Sequence, residues 1–353
     1  MAAAPDSRHG VVAAWLFVCC ALIFLMVVVG GITRLTLSGL SITEWNPVIG
    51  VVPPLTSAQW AAEFSRYQQV PEYRAVHYGM GLPEFKSIYF WEYAHRLLGR
   101  VIAIAYAAPL VWFWVRGMLP RRLLQALLGI LALGFCQGLL GWYMVESGLA
   151  DRNEVSQYRL VAHLALALAI YSAILWVALG LIRAPAWQDS GAGWRLAADV
   201  VILFVAATIA AGGFTAGLHA GLIYNTFPLM GGRLVPSDYA TLAPFWQNWF
   251  ENPAAAQFDH RVLAMTTVAV VLLLWAAGTR RSLSAPARVA STALLVAALI
   301  QMALGVSTLL LVVPIPLAAA HQAGAMLLLT AAIDFRHTLR APRVIDVRVG
   351  ATI

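Results

Sequence analysis

Trp91-Glu92-Tyr93-Ala94-His95-Arg96 stands at the head of a long apolar run, and Gln257-Phe258-Asp259-His260-Arg261 stands at the head of another in the second half of the chain. Aligned on the His-Arg pair, Glu92 meets Gln257, Tyr93 meets Phe258 and Ala94 meets Asp259, while the histidine and arginine recur unchanged. Each run has a later companion, His163 in Leu160-Val-Ala-His-Leu-Ala165 and His321 in Ala318-Ala-Ala-His-Gln-Ala323, again near the start of an apolar segment. Gly30-Gly-Ile-Thr-Arg34 is echoed by Ala211-Gly-Gly-Phe-Thr215, and Gln137-Gly-Leu-Leu-Gly141 by Gln301-Met-Ala-Leu-Gly305. The offsets between copies, 182, 165, 164 and 158 residues in chain order, drift slowly and predict a four-helix unit duplicated with unequal loops.

With 353 residues, 61% hydrophobic and only 11% charged, the chain departs from soluble domains, whose charged fraction is nearer ~25%. Crossing a hydrocarbon layer ~30 Å thick takes about 20 apolar residues as helix. Eight such runs occur, at 11–33, 88–115, 122–145, 158–182, 196–216, 258–278, 288–312 and 316–335. Backbone groups without water must pair within their own segment, so the runs are predicted as helices. The expected fold is an all-α polytopic membrane protein of two pseudo-symmetric four-helix bundles, residues 1–183 and 195–353, joined by a linker at 184–194.

The net charge of +7 would point to nucleic acid in a soluble protein, but here the arginines gather in alternate connections and set orientation. Arg8, Arg116, Arg121, Arg122, Arg183, Arg195, Arg280, Arg281, Arg288, Arg336, Arg340, Arg343 and Arg348 fall on one side; Arg34, Arg66, Arg74, Lys86, Arg152, Arg159 and Arg233 fall on the other. Both termini are therefore expected in the cytoplasm, with the long connections outside. The first of these, Leu35 to Ser87, carries Thr43-Glu-Trp-Asn-Pro47 and reads either as a lid or as a connector with interfacial aromatics. The second contains Asn225-Thr-Phe-Pro-Leu-Met-Gly-Gly232. Val312-Val-Pro-Ile-Pro316 is expected to turn tightly between the last two spans. Cys19, Cys20 and Cys136 fall within spans and read as packing residues, and no CxxC pattern supports zinc or covalent heme attachment.

An ionisable group within a bilayer needs a partner or a task. His95, His163, His260 and His321 all come early in segments running in the same direction, so they are expected at similar depth near the outer face. Facing in pairs, they can offer imidazole nitrogen to both sides of a flat macrocycle, which points to two bis-histidine heme sites. A histidine pair without a third or fourth ligand is a poor zinc site. His9, His77, His219 and His337 receive no metal role. Arg96 and Arg261 directly follow two of the ligands and could clamp a heme propionate or snorkel to the headgroups. Glu92, three residues before His95 and on its helical face, is the catalytic candidate; the alternative is a structural carboxylate paired with Arg96 at (i, i+4).

Glu-x-x-His-Arg at 92–96, Asp-His-Arg at 259–261, His163, His321 and Asn225-Thr-Phe-Pro-Leu-Met230 form an ordered set that resembles the heme A synthase family, in its proteobacterial and mitochondrial branch. The likeness covers nearly the whole chain, although the cysteine pair that another branch carries in its outer loop is missing. It implies an oxidoreductase of the bacterial cytoplasmic membrane that oxidises the C8 methyl of heme O to the formyl of heme A, through two hydroxylations and a dehydration. It also implies that His260 and His321 hold a resident heme b, while His95 and His163 frame the substrate heme beside Glu92. Heme O synthase and an electron donor are the implied partners, and a homo-oligomer is compatible. A cytochrome b that only relays electrons would use the same histidines but give Glu92 no task. A heme transporter would instead place its contacts on broken helices at mid-membrane.

Overall fold

The computed structural model describes residues 7–44, 49–150, 154–183, 191–281 and 283–340. In chain order its helices are α1 (Ser7–Leu35), α2 (Ser57–Tyr67), α3 (Pro71–Ala75), α4 (Leu82–Val115), α5 (Arg121–Ala150), α6 (Gln157–Ile182), α7 (Ala192–Gly217), α8 (Asn248–Glu251), α9 (Pro253–Arg280), α10 (Ala285–Leu310) and α11 (Ile315–Thr338). No β-strand occurs among the described residues. All but α2, α3 and α8 are long and apolar enough to cross a membrane, which gives the eight spans expected. At ~1.5 Å per residue even the shortest of them exceeds the ~30 Å hydrocarbon layer. Trp45-Asn46-Pro47, Arg152, Arg343, Arg348 and the linker up to Ser190 lie outside the described residues.

All eight spans begin before their apolar runs, and two of them, α4 and α9, do so by five residues or more. Helix α4 starts at Leu82 instead of 88, because Pro83 in the first turn needs no donor and the Glu84 carboxylate accepts the Gly81 N–H at 2.9 Å. Helix α9 starts at Pro253 instead of 258, where the Asn252 side chain accepts the N–H of Ala254 at 2.9 Å and of Ala255 at 3.4 Å. Both caps are polar, so an apolar window passes over them. The predicted turn after α10 is present, with Val312 and Val313 both at positive φ, 61° and 56°.

Helix α1 packs on α4 and α6, and α5 fills the gap between α4 and α6; in the second half α7 packs on α9 and α11, and α10 lies between those two. The two sets meet along α6 with α7, α1 with α11, and α6 with α11. Leu16 and Cys19 of α1, Ile174 and Ala178 of α6, Val201 of α7, and Leu329 and Phe335 of α11 are buried in this shared core. Hydrogen bonds cross it: Gln322 Nε2 donates to the Val27 carbonyl at 2.8 Å, and the hydroxyls of Tyr171 and Thr330 pair at 2.7 Å. Ile104, Phe135, Leu203 and Leu273 are exposed along the outer faces, as a lipid-facing surface requires. Cys19 and Cys20 are buried as expected, but Cys136 is exposed, because α5 sits at the rim of its set.

The long connection after α1 builds its own small core. Helices α2 and α3 place Tyr67, Val70 and Tyr73 against Phe85, Ile88 and Tyr89 of α4, with Tyr67 stacked on Phe85 at 5.3 Å between ring centroids. Helix α3 also touches α5. A capping box starts α2, since Gln59 N–H donates to Thr56 Oγ1 at 3.2 Å and Thr56 N–H donates to Gln59 Oε1 at 3.0 Å. The connection is thus a folded cap over the ends of α4 and α5.

Small residues let the two sets approach closely. A Cβ at Gly217 would stand 2.7 Å from Gln157 Cβ, and one at Gly213 would stand 2.9 Å from Val161 Cγ2. Gly217→Val should therefore force α6 and α7 apart and lower stability by about 1–3 kcal/mol. Gly193→Val, where nothing lies within 4 Å, should not. Thermal unfolding in detergent compares the two; equal midpoints would contradict the close packing of these helices.

Candidate functional site

All four candidate histidines are seated on glycine. His95 of α4 lies against Gly30 of α1, His163 of α6 against Gly141 of α5, His260 of α9 against Gly212 of α7, and His321 of α11 against Gly305 of α10. A Cβ at these glycines would stand 3.1, 2.9, 2.9 and 2.8 Å from the nearest ring atom, in that order. Any larger residue would push the imidazole away, so the glycines of the echoed sequence motifs define where the rings sit.

The glutamines of those motifs have a matching task. Gln137 Nε2 donates to the His163 carbonyl and Gln301 Nε2 to the His321 carbonyl, each at 3.0 Å. This ties α5 to α6 and α10 to α11 one turn from the glycine seat. His260 Nδ1 lies 3.0 Å from the Thr208 carbonyl, so it carries the proton and leaves Nε2 as the free base. The rings of His260 and His321 meet edge to face, with centroids 6.4 Å apart at an interplanar angle of 80°. Two imidazoles bound to one metal at ~2 Å each have centroids about 6 Å apart, so this pair could hold a metal ion between its nitrogens. Among the described residues no group of three or more His, Cys, Asp or Glu side chains gathers as a metal cage. A two-ligand site therefore suits a metal whose remaining ligands come with it, as in a porphyrin. His95 and His163 have their seats on different helices, α1 and α5, and Gln137 Nε2 lies 3.3 Å from His163 Nε2. The Nδ1 atoms of His163 and His321 are buried without a hydrogen-bond partner.

Glu92 and Arg96 join α4 to the cap. The buried Glu92 carboxylate accepts Ser41 Oγ–H and the Ile42 N–H on Oε2, both at 2.7 Å, and Arg96 Nη2–H on Oε1 at 2.6 Å. Arg96 also donates to the carbonyls of Ile42 at 2.8 Å and Glu44 at 2.9 Å. The second half repeats the device: Arg261 donates to the carbonyls of Tyr224 at 2.6 Å and Thr226 at 2.7 Å, and Gln257 Nε2 donates to Tyr224 O at 3.2 Å. Thr33 Oγ1 donates to Trp91 O at 3.2 Å, and Thr215 Oγ1 to Ala256 O at 3.1 Å, in each case the carbonyl just before Glu92 or Gln257. Tyr224 and Thr226 stand 182 residues after Ile42 and Glu44, the offset of the glycine pairs. Asn225 links this loop to α10, its Nδ2 donating to Leu309 O at 2.9 Å. The ion pair of Glu92 with Arg96, weighed from spacing alone, is thus present, and both arginines hold backbone carbonyls.

Sequence reasoning named the four histidines, Glu92, Arg96 and Arg261, and it noted the glycine and glutamine echoes without a role for them. It missed Ser41 and Thr208; Thr33 and Thr215 stood at matching places in the glycine echo, offset 182, but were given no role there. The remaining histidines lie elsewhere. His219 pairs with Arg34 at 2.7 Å and Glu154 at 2.8 Å where the two sets meet, His337 lies beside Arg340 at the opposite end of the spans, and His77 meets Tyr67 in the cap.

Eight spanning helices define a multi-pass membrane protein, and its four candidate histidines sit on glycine seats. The chain belongs to the cytochrome oxidase assembly protein family, COX15-CtaA, whose family model matches residues 13–333. It is 51% identical over 337 residues to the heme A synthase of Nitrosospira multiformis, covering 93% of each chain. It is 50% identical over 342 residues to the heme A synthase of Rhodospirillum centenum, covering 97% of this chain and 90% of that one. The heme A synthase of Nitrosomonas eutropha is 48% identical over 335 residues, 92% of this chain and 93% of the relative.

Arg261→Ala removes both guanidinium bonds to the second connection, each worth about 1.5–3 kcal/mol as a charge-assisted bond. The segment 218–252 should then be cut faster by added protease while the spans stay intact, and Arg261→Lys should fall between, because one ammonium cannot fork to both carbonyls. Unchanged cleavage rates would show that the loop does not depend on this arginine.

Proposed function

We propose that this protein is a heme A synthase, oxidising the C8 methyl of heme O to the formyl group of heme A. The observation that carries the reading is the placement of four histidines on repeat-equivalent glycine seats, with the His260 and His321 ring centroids 6.4 Å apart. The approximately 50% identity to heme A synthases over nearly the full chain supports it.

In this reading residues 1–183 and 195–353 are two copies of one four-helix unit, and the matching ring of helix contacts in the two sets supports the duplication. His260 and His321 would hold heme b, whose chemistry is one-electron transfer. The Nδ1–H bond from His260 to Thr208 fixes the ring and directs Nε2 to the metal. His95 and His163 would frame heme O as substrate. Arg96 and Arg261 would reach heme propionates with N–H bonds the loops do not use; Arg261 Nε, buried without a partner, is suited to that. Heme O synthase would supply the substrate and a separate donor the electrons. The protein would lie in the bacterial cytoplasmic membrane with both termini in the cytoplasm and the heme sites near the outer face, as the arginine distribution argues.

Glu92 is the group assigned to the chemistry. Three donors hold its carboxylate, so its position is fixed, and it acts as a preorganised negative charge next to the substrate pocket that stabilises positive charge developing on the macrocycle. Gln257 occupies the equivalent place in the second half without a charge, which suits a site that only relays electrons.

Hemes extracted from purified protein test the reading: heme b together with heme O or heme A supports a synthase, and heme b alone favours a plain cytochrome. His260→Ala or His321→Ala should abolish the low-spin heme b spectrum while His95→Ala and His163→Ala retain it; the opposite pattern would reverse the two halves. Glu92→Gln should keep heme b yet lower heme A formation at least tenfold, a loss of about 1.4 kcal/mol or more of transition-state stabilisation. Near-normal heme A from that variant, measured by chromatography of hemes from cells expressing it alone, would leave Glu92 as a purely structural partner of Arg96.

A further inference from the structure

Each oxidation of a methyl carbon moves protons as well as electrons, so protons must pass between the pocket and solvent. Glu92, fixed by three donors, is poorly suited to carry them. The cap over α4 and α5 contains a second buried carboxylic acid that none of the chemistry above uses. Glu72 of α3 is 4% exposed, in the cap whose buried cluster contains Tyr67, Tyr73 and Phe85. Tyr67, at 0% exposure, donates its hydroxyl to Glu72 Oε2 at 3.1 Å, and the same hydroxyl is hydrogen-bonded to His77 Nδ1. Because that hydroxyl gives its proton to Glu72, it must accept from His77, so Nδ1 is the protonated nitrogen. His77 is half-buried and followed by the exposed Tyr78 and Gly79. The three groups thus run in series from the surface of the loop-bearing face to a buried acid.

We propose that His77, Tyr67 and Glu72 form a proton relay connecting solvent at the loop-bearing face with the Glu92 end of the first histidine pair. The inference rests on the synthase reading above. In one inward transfer a solvent proton adds to His77 Nε2 as the His77 Nδ1–H bond breaks and that proton bonds to Tyr67 Oη, while the original Tyr67 O–H proton passes to the Glu72 carboxylate at Oε2, so that His77 ends neutral in its other tautomer. The net result is one proton moved from solvent to Glu72, and the reverse sequence exports one. The groups stand on geometry, and their surroundings suit the task. Burial pushes the Glu72 carboxyl up to about 8, with the Tyr67 hydrogen bond opposing, Glu92 adding to the rise, Arg34 opposing and Glu154 adding. A group near 8 takes up and releases a proton around neutral pH. Burial, then Glu72, push the Tyr67 hydroxyl upward, so it stays neutral and hands protons through; burial lowers His77, which keeps it a neutral imidazole. Tyr67 stacks on Phe85, Phe85 packs on Tyr89 and Tyr89 on Tyr93, so the inner end of the chain lies against the stretch of α4 that carries Glu92. Tyr73, whose hydroxyl accepts from Gln68 Nε2 at 3.4 Å, packs against Tyr67 but takes no part in the series.

The test uses the full-length protein in membranes supplied with heme O. Tyr67→Phe keeps the ring and deletes the hydroxyl; it should retain heme b content and lower heme A formation at least tenfold, a part of the about 10²–10⁴ that a positioned acid or base contributes. His77→Ala should lower the rate several-fold, and imidazole added to the medium should restore most of it, which no purely structural role of His77 predicts. Glu72→Gln should also flatten the dependence of the rate on pH between 7 and 9. A wild-type rate in Tyr67→Phe, or a His77→Ala defect that imidazole leaves unchanged, would overturn the relay. If Tyr67→Phe loses heme b through misfolding, the partly exposed His77 and its imidazole rescue decide alone. Wild-type membranes that make heme A while the variants match them defeat only the relay; wild-type membranes that convert no heme O defeat the synthase reading itself.

Discussion

A guanidinium near the end of a membrane helix cannot be left without acceptors, and Arg96 and Arg261 meet that constraint by taking two backbone carbonyls each from the connection above them. The carbonyls gain as much, since a loop folded onto a membrane face has few other donors. This exchange fixes how each long connection lies over the histidines one residue before the arginines. The threonines reinforce it, Thr33 and Thr215 closing the last turns of α1 and α7 onto the starts of the histidine-bearing helices.

The two halves share the device and differ in its polarity. In the first, Glu92 is an acceptor and takes the Ile42 N–H; in the second, Gln257 is a donor and reaches the Tyr224 carbonyl. One position thus holds the same loop in both halves while only one half keeps a negative charge there. Two halves that share this device can in this way carry different charge at one position without altering their helix packing. Gln257 Oε1 is left buried without a partner, a cost the second half bears for using an amide where the first uses a carboxylate.

The glycine seats explain why the histidines are held so similarly. A methyl group at any of Gly141, Gly212 or Gly305 would come within 3 Å of a ring carbon, so the choice of glycine on one helix decides the position of an imidazole on the next. The glutamines add direction, since each binds the carbonyl of the very histidine whose ring rests on the glycine one turn further along. Sequence echoes that look like helix-packing motifs therefore set where the histidine rings lie.

The sequence alone determined the eight spans, since hydrocarbon leaves an apolar run no alternative to helix, and it determined the histidine positions, since polar groups stand out against such runs. Glu92, Arg96 and Arg261 were legible for the same reason, and the (i, i+4) ion pair followed from helix geometry. The early starts of α4 and α9 were not legible, because capping polar residues resemble loop until their hydrogen bonds are seen. Nor was the cap: nothing in the spacing of Tyr67, Glu72 and His77 separates a folded cap from a connector with interfacial aromatics. Only tertiary structure decided what each charged group faces, that Arg96 holds Ile42 and Glu44 and that Tyr67 stands between Glu72 and His77. Those partners are distant in sequence or belong to irregular segments, and they meet only because the helices beneath them are packed in one particular arrangement.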